Sequence, residues 1–211
     1  MDGFEVISLQ QSFFEDFGYS LNPSSFIFEK VNSIGKQVIF IHYQEYPDTS
    51  YLDYKLGVRI DQVEEIIHRF LPTLSDYAER SITLIQTPDK IGKEIPKRFV
   101  LSNNSQLAKA IMAAEKFFVS YGFHWLDQMI KPQILEKEFA QRKQHEFRTQ
   151  NFVYYAFRGV TLARLYNPDD YPILREIYLS EINHREMTPF TIASFLQLLD
   201  FLDHLEIKIS S

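Results

Sequence analysis

Short runs of apolar residues alternate with polar ones through the first half of the chain, a pattern typical of β-strands with one face on a core. Turn-forming residues bound these runs and predict five strands, over 25–31, 37–43, 51–60, 81–86 and 98–102. A helix is predicted over 5–17, ended by Gly18. Asp61 and Glu64 have the spacing of a capping box and predict a second helix that runs to Leu71, before Pro72.

The segment 51–60 shows the alternation most clearly. Its even-numbered residues from Leu52 to Ile60 are apolar or aromatic, whereas Asp53, Lys55 and Arg59 occupy odd positions. Because successive side chains of a strand point to opposite faces, we expect the even positions on the core and the three charged residues in solvent.

Beyond Asn103 the apolar spacing becomes helical and predicts six helices, over 105–121, 123–131, 133–147, 150–166, 171–183 and 189–205. Gly122 and Pro132 are expected to separate the first three. The predicted fold class is α+β, with an N-terminal antiparallel sheet of about five strands and flanking helices, followed by an all-helical C-terminal half packed on it. The halves are 1–102 and 103–211. No linker-like composition separates them, so we favour one integrated structural unit, with two domains as the alternative.

Charge and cysteine content restrict the classes of partner. The chain has 28 acidic and 22 basic side chains, and the 15 acidic and 10 basic residues of 1–102 carry most of the excess. This sign disfavours nucleic acid and anionic membranes as partners. The sequence has no cysteine, no signal-like N-terminus and no apolar run long enough to span a bilayer. We therefore expect a soluble cytoplasmic protein, with no prediction of its oligomeric state.

Recognisable catalytic motifs are few. No glycine-rich phosphate loop, no G-x-S-x-G string and no pair of histidines at helical metal-ligand spacing occurs, so no cofactor and no metal site is predicted. Pro47-Asp48 followed by Asp53-Tyr54-Lys55 is similar to the PD…(D/E)xK string of metal-dependent nucleases. Only four residues separate the two aspartates, so we favour a charged strand face over a nuclease site.

Histidines supply the candidates for acid–base chemistry. His42 ends an apolar strand, and with Glu29 and Glu45 it could form a catalytic group if the sheet encloses a pocket. His68 and Glu64 lie one helical turn apart, a spacing that could bind a metal ion or relay a proton but that more often joins two surface residues.

Aromatic residues are the main compositional excess, at 15% of the chain. Tyr43, Tyr46 and Tyr54 are candidates for a ligand-binding or partner-binding surface, since tyrosine offers wide contact area at low entropic cost. We expect a non-catalytic binding or protein-interaction module with another protein as its partner. The alternatives are a small-ligand or hydrolase-like enzyme with a sheet-lined pocket around His42, and an oligomer paired through its last helix.

Overall fold

The computed structural model describes residues 2–71, 75–141, 152–185 and 187–206, the side chains of 75, 76 and 141 excepted. The chain divides into two compact units. Unit 1 contains residues 1–59 and 84–130, and unit 2 contains residues 60–83 and 131–211. Among the described residues, no helix is both long and apolar enough to cross a bilayer.

A six-stranded sheet forms the frame of unit 1. Its strands are β1 Ser20–Asn22, β2 Ile27–Asn32, β3 Gly35–Glu45, β4 Ser50–Ile60, β5 Leu84–Gln86 and β6 Phe99–Leu101. The order is β1-β2-β3-β4-β5, and β6 also pairs with β4. β6 pairs with residues 50–52 of β4 and β5 with residues 56–58, both antiparallel. The stretch Asp53–Lys55 therefore lies between the two pairings, on the edge of β4 that β3 does not occupy.

The helices of unit 1 are α1 Gly3–Ser8, α2 Gln11–Asp16, α5 Pro88–Ile91, α6 Asn104–Phe117, a π-helical turn Phe118–Gly122, and α7 Phe123–Met129. Aromatic side chains of α2 and of the π-helical turn pack on one face of this sheet. The Phe14 ring lies 4.7 Å from Phe28 and 5.0 Å from Phe118, centroid to centroid. Tyr54 is buried on this face, and its hydroxyl donates to Gln10 Oε1 over 2.7 Å. Burial raises the pKa of the Tyr54 hydroxyl, which therefore stays protonated.

Unit 2 is helical. It consists of α3 Asp61–Ile67, α4 Ser75–Arg80, α8 Pro132–Gln141, α9 Phe152–Tyr166, α10 Tyr171–His184 and α11 Pro189–Asp203. The central helix is α9, which packs against α3, α8, α10 and α11. The apolar stripe of α11 is buried through Phe195, Leu199 and Leu202, whereas Phe190 and Leu196 are exposed.

The predicted α+β class is confirmed, with β1, α4 and α5 as elements that the sequence pattern did not indicate. The predicted helix 5–17 is two helices, α1 and α2, and the predicted helix 105–121 passes through the π-helical turn directly into α7. Gly122 does not break this helix. A Cβ at that position would lie 2.7 Å from Phe118 Cδ1, so glycine is required by close packing. Pro72 and the end of the predicted helix 133–147, from 142 onward, lie outside the described residues.

The prediction of a solvent face on β4 is wrong for two of its three residues. Asp53 and Arg59 are buried, at 7% and 8% exposure, and only Lys55 is exposed. The alternation of side chains is real, but on the second face Asp53 and Arg59 are covered, whereas Lys55 is not. The predicted organisation of 1–102 and 103–211 as one integrated unit stays a prediction.

Candidate ligand-binding groove

A groove of about 640 Å³ opens in unit 1 on the face of β3 and β4 that carries His42 and Lys55. α1 and the segment that leads into β2 supply its apolar wall. Its lining consists of Gly3, Phe4, Ile7, Ser25, Phe26, Ile27, Phe40, Ile41, His42, Tyr43, Asp53, Lys55, Ile85 and Arg98.

A second cavity of about 550 Å³ shares Asp53, Lys55, Ile85 and Arg98 with the first. It adds Gln86, Thr87 and Lys97, and it occupies the gap along β4 between β5 and β6. Because four lining residues are common to both, the two cavities form one continuous depression, which we call the groove.

The apolar end of the groove is built from Phe4, Ile7, Phe26, Ile27 and Phe40. Phe4 and Phe26 meet edge to face, with ring centroids 5.6 Å apart, and remain 52% and 46% exposed. Phe26 has φ +54°, in the left-handed region that bulky residues rarely adopt. A hydrogen bond from its backbone N–H to Asn22 O, at 2.8 Å, closes the turn that holds it there.

The basic end of the groove is formed by Lys55, Lys97 and Arg98, all exposed. Arg98 binds the buried Asp53: its Nε lies 3.2 Å and its Nη2 3.1 Å from Asp53 Oδ2. Lys55 and Lys97 form no ion pair with any described residue. Counting Asp53, this end carries two more positive than negative charges, the opposite sign to the chain's net charge of −6.

Of the three acid–base candidates, only His42 lines the groove, where it is exposed. Glu29 lies on β2, within 2.7 Å of Lys36 Nζ and 3.3 Å of Asn22 Nδ2. Glu45 lines a separate cavity of about 180 Å³ beside the β3–β4 turn. The structure therefore does not place the three side chains around one pocket.

Tyr43 and Tyr46 both line the small cavity beside the β3–β4 turn, and of the three tyrosine candidates only Tyr43 also lines the groove. Tyr43 lines the groove, and its hydroxyl lies 3.0 Å from Ser50 Oγ. Tyr46 is exposed near the β3–β4 turn and meets Tyr51 edge to face at 5.6 Å. Tyr54 is buried on the opposite face of the sheet, away from the groove. Tyr43 is thus the one member of this set that a ligand in the groove could contact.

Most of the residues that line the groove were not predicted from the sequence. Asp53 and Lys55 belong to the nuclease-like string and line the groove. Asp48, the other aspartate of that string, lines the separate cavity at the β3–β4 turn. Arg98 lies 45 positions from Asp53, and only the pairing of β6 with β4 brings them together. The one available signal was the basic pair Lys97-Arg98 at the start of the predicted strand 98–102.

A second polar cluster lies in unit 2, around Glu64. Arg158 holds this carboxylate with two hydrogen bonds, Nε to Oε1 at 2.8 Å and Nη2 to Oε2 at 2.9 Å. Thr83 Oγ1 donates to Oε1 at 2.8 Å, and His68 Nε2 lies 3.5 Å from Oε2. The prediction of Glu64 and His68 as surface neighbours is wrong, because both side chains are buried.

Burial alone would raise the pKa of the Glu64 carboxyl. The hydrogen bonds to it and the positive charge of Arg158 outweigh burial, so its pKa is lowered to about 2. The carboxylate stays ionised and its two oxygens are fully engaged, which suits a structural ion pair between α3 and α9 better than a catalytic group.

Within the parts of the chain that the structure describes, no cluster of three or more histidine and carboxylate side chains is placed to hold a metal ion. No protein-family model matches the chain, and no curated protein or solved structure is significantly similar to it. The chemistry of the groove is therefore the basis for a functional proposal.

Proposed function

We propose that this protein is a non-catalytic binding module that recognises another protein, and that the groove is its binding surface. The observation that supports this most directly is the pairing of an exposed aromatic wall with unneutralised cations in one depression. Exposed aromatic residues and arginine are enriched at protein interfaces, where they provide much of the binding energy.

The remaining features of the chain fit this proposal. Four of the lining elements are strands of one sheet, so the groove has a rigid base on which side chains keep their positions. The acidic surface elsewhere would repel nucleic acid, and the absence of cysteine suits a reducing cytoplasm. A cytoplasmic location is part of the proposal.

Site-specific photo-cross-linking tests the proposal. A benzophenone side chain placed at Phe4, on the groove wall, is expected to form covalent protein adducts in an extract of the source cell. The matched control is the same side chain at Val31, which is 74% exposed in the same unit but does not line the groove. Adducts at Phe4 that disappear in a Lys55→Glu/Lys97→Glu background support the proposal. Equal adducts at both positions, or none at Phe4, contradict it.

An enzyme that acts on a small ligand is the second candidate, favoured by the exposed position of His42 in the groove. A screen of activated esters and phosphoesters would then find turnover that His42→Ala abolishes. Because His42 is exposed, we expect this substitution to change the free energy of unfolding by no more than about 0.5 kcal/mol. Turnover that survives in His42→Ala would exclude this histidine as the catalytic group.

A further inference from the structure

We infer that the groove recognises an extended peptide segment that presents a carboxylate side chain to the basic end and an apolar side chain to Phe4 and Phe26. This inference rests on the proposed function and specifies the kind of partner segment that the groove accepts.

The basic end supplies the argument for a carboxylate. Arg98 uses its Nε and Nη2 atoms on Asp53, and its Nη1 atom is in no hydrogen bond with a described residue. Lys55 and Lys97 line the same cavity without an ionic partner among the described residues. An arginine together with two lysines favours an anion, since ionised donors form hydrogen bonds to carboxylates that are shorter and stronger than neutral ones. Asp53 holds the guanidinium in place and leaves two positive charges for the ligand.

The apolar end supplies the argument for an apolar side chain. Phe4 and Phe26 place their rings at the groove surface instead of in the aromatic core of unit 1. The left-handed backbone of Phe26 is energetically unfavourable for a phenylalanine, and asparagine or glycine would adopt it more readily. Such strain is found preferentially at binding sites, where a side chain is held for contact at a cost to the free protein.

The shape of the groove favours an extended peptide over a small molecule. Small-molecule sites bury most of the ligand surface. Here Phe4, Phe26 and Ile85 line the walls and are each about half exposed, so a bound ligand would remain partly in solvent. The groove also continues from α1 past β3 to the gap in the edge of β4. An extended chain of several residues can occupy both ends of such a surface while its own ends continue outside.

Peptide display provides the test. A library of random 12-residue peptides is selected on the full chain, with counter-selection on the Lys55→Glu/Lys97→Glu variant. We expect the recovered peptides to carry Asp or Glu at a fixed spacing from Phe, Tyr, Trp or Leu. A fluorescein-labelled recovered peptide is then titrated with protein, and its anisotropy gives Kd.

Charge-matched variants separate a groove effect from a general one. Lys55→Glu/Lys97→Glu is expected to weaken binding at least about 10-fold, and added salt should weaken binding to the wild type. The control Lys109→Glu/Lys116→Glu makes the same change in net charge with two exposed lysines of α6 that do not line the groove. Its Kd should stay within about 2-fold of wild type.

A second pair of variants tests the apolar end. Phe26→Asn removes the ring but suits the left-handed backbone, so we expect binding to weaken about 10-fold while the melting temperature is unchanged or higher. Lys93 also has a left-handed backbone, at φ +57°, but it does not line the groove. Lys93→Asn should leave binding unchanged.

The outcomes distinguish this inference from the proposed function. Recovered peptides without acidic residues, peptides that bind the double-glutamate variant equally well, or a library with no groove-dependent binder would overturn the inference. Groove-dependent binding of dodecanoate, a carboxylate on an apolar chain, in place of any peptide would overturn it too. The proposed function is tested separately, by the protein adducts formed at Phe4.

Discussion

Glu64 has no exposed surface, and its carboxylate is held by Arg158 in a two-point ion pair between α3 and α9. An ionised group in this position is stable only while its partners remain, because the interior provides no water to solvate it. The pair therefore contributes less to net stability than its short distances suggest, but the loss of one partner is costly.

We predict that Arg158→Met lowers the free energy of unfolding by about 3–5 kcal/mol at pH 7, because it leaves a buried carboxylate without its cation. In the wild type, the lowered pKa of Glu64 provides stability at pH values above about 4.5, which is lost as the pH falls towards 2. This shift corresponds to about 3 kcal/mol. Denaturant unfolding at pH 7 and pH 3 should therefore show a smaller difference between variant and wild type in acid.

Two further variants test whether the unpaired buried charge causes the loss of stability in Arg158→Met. Glu64→Gln combined with Arg158→Met removes both charges and should recover part of the lost stability at pH 7. Arg175→Met breaks the more exposed ion pair with Asp203 and should cost no more than about 1 kcal/mol. If Arg158→Met and Arg175→Met have equal effects, burial is not what makes the Glu64 pair important.

At the scale of the elements, α9 and α10 approach closely because Gly159 lacks a side chain. A Cβ at this position would lie 2.6 Å from Tyr178 Cζ and closer still to Tyr178 Oη, and Tyr178 is fully buried. The contact sits in the middle of both helices, so α10 cannot avoid the added methyl group by fraying at an end.

We predict that Gly159→Ala destabilises the protein by about 1–3 kcal/mol, although alanine is the better helix former by about 1 kcal/mol. Thermal unfolding followed by circular dichroism measures the change. Gly3→Ala is the control, because its Cβ would meet only Tyr43 O, at an ordinary 3.6 Å. A stabilised Gly159→Ala variant would show that Tyr178 can move without cost.

The elements whose bounds the sequence predicted most closely are long enough to show a period, although the three-residue strands β5 and β6 were also predicted, within 81–86 and 98–102. β3 and β4, with 11 residues each, and the helices of 14–15 residues after Asn103 were anticipated within a few positions. β1, with three residues, and α5, with four, are too short for any period to be recognised. The groove was harder still, because Phe4, Phe26 and Arg98 lie far apart in sequence and meet only through strand pairing that local patterns do not specify.

At the scale of the whole chain, neither compact unit is continuous in sequence. The chain passes between units near residues 59, 83 and 130, so each unit is built from two separate segments. The change from strand pattern to helix pattern near 103 falls inside unit 1, between β6 and α6. A change in secondary structure along the sequence is therefore a poor guide to where this chain divides.

We predict that the fragments 1–102 and 103–211 do not fold when produced separately. The sheet of 1–102 would lose Phe117, Phe118 and Leu126, all fully buried in unit 1. The fragment 103–211 would contain Arg158 in a helix without the buried carboxylate that it binds in α3. Exposure of either core should give near-ultraviolet circular dichroism without fine structure and no cooperative thermal transition.

Mixing the two fragments provides the control, because both halves of each unit are then present. We expect the mixture to regain native-like near-ultraviolet circular dichroism and a cooperative transition, with a concentration dependence that a single chain lacks. If 103–211 alone unfolds cooperatively, its helices form a core without α3, and the division at 130 does not reflect how the chain is stabilised. Native behaviour only in the mixture would mean that neither 1–102 nor 103–211 forms a stable core by itself.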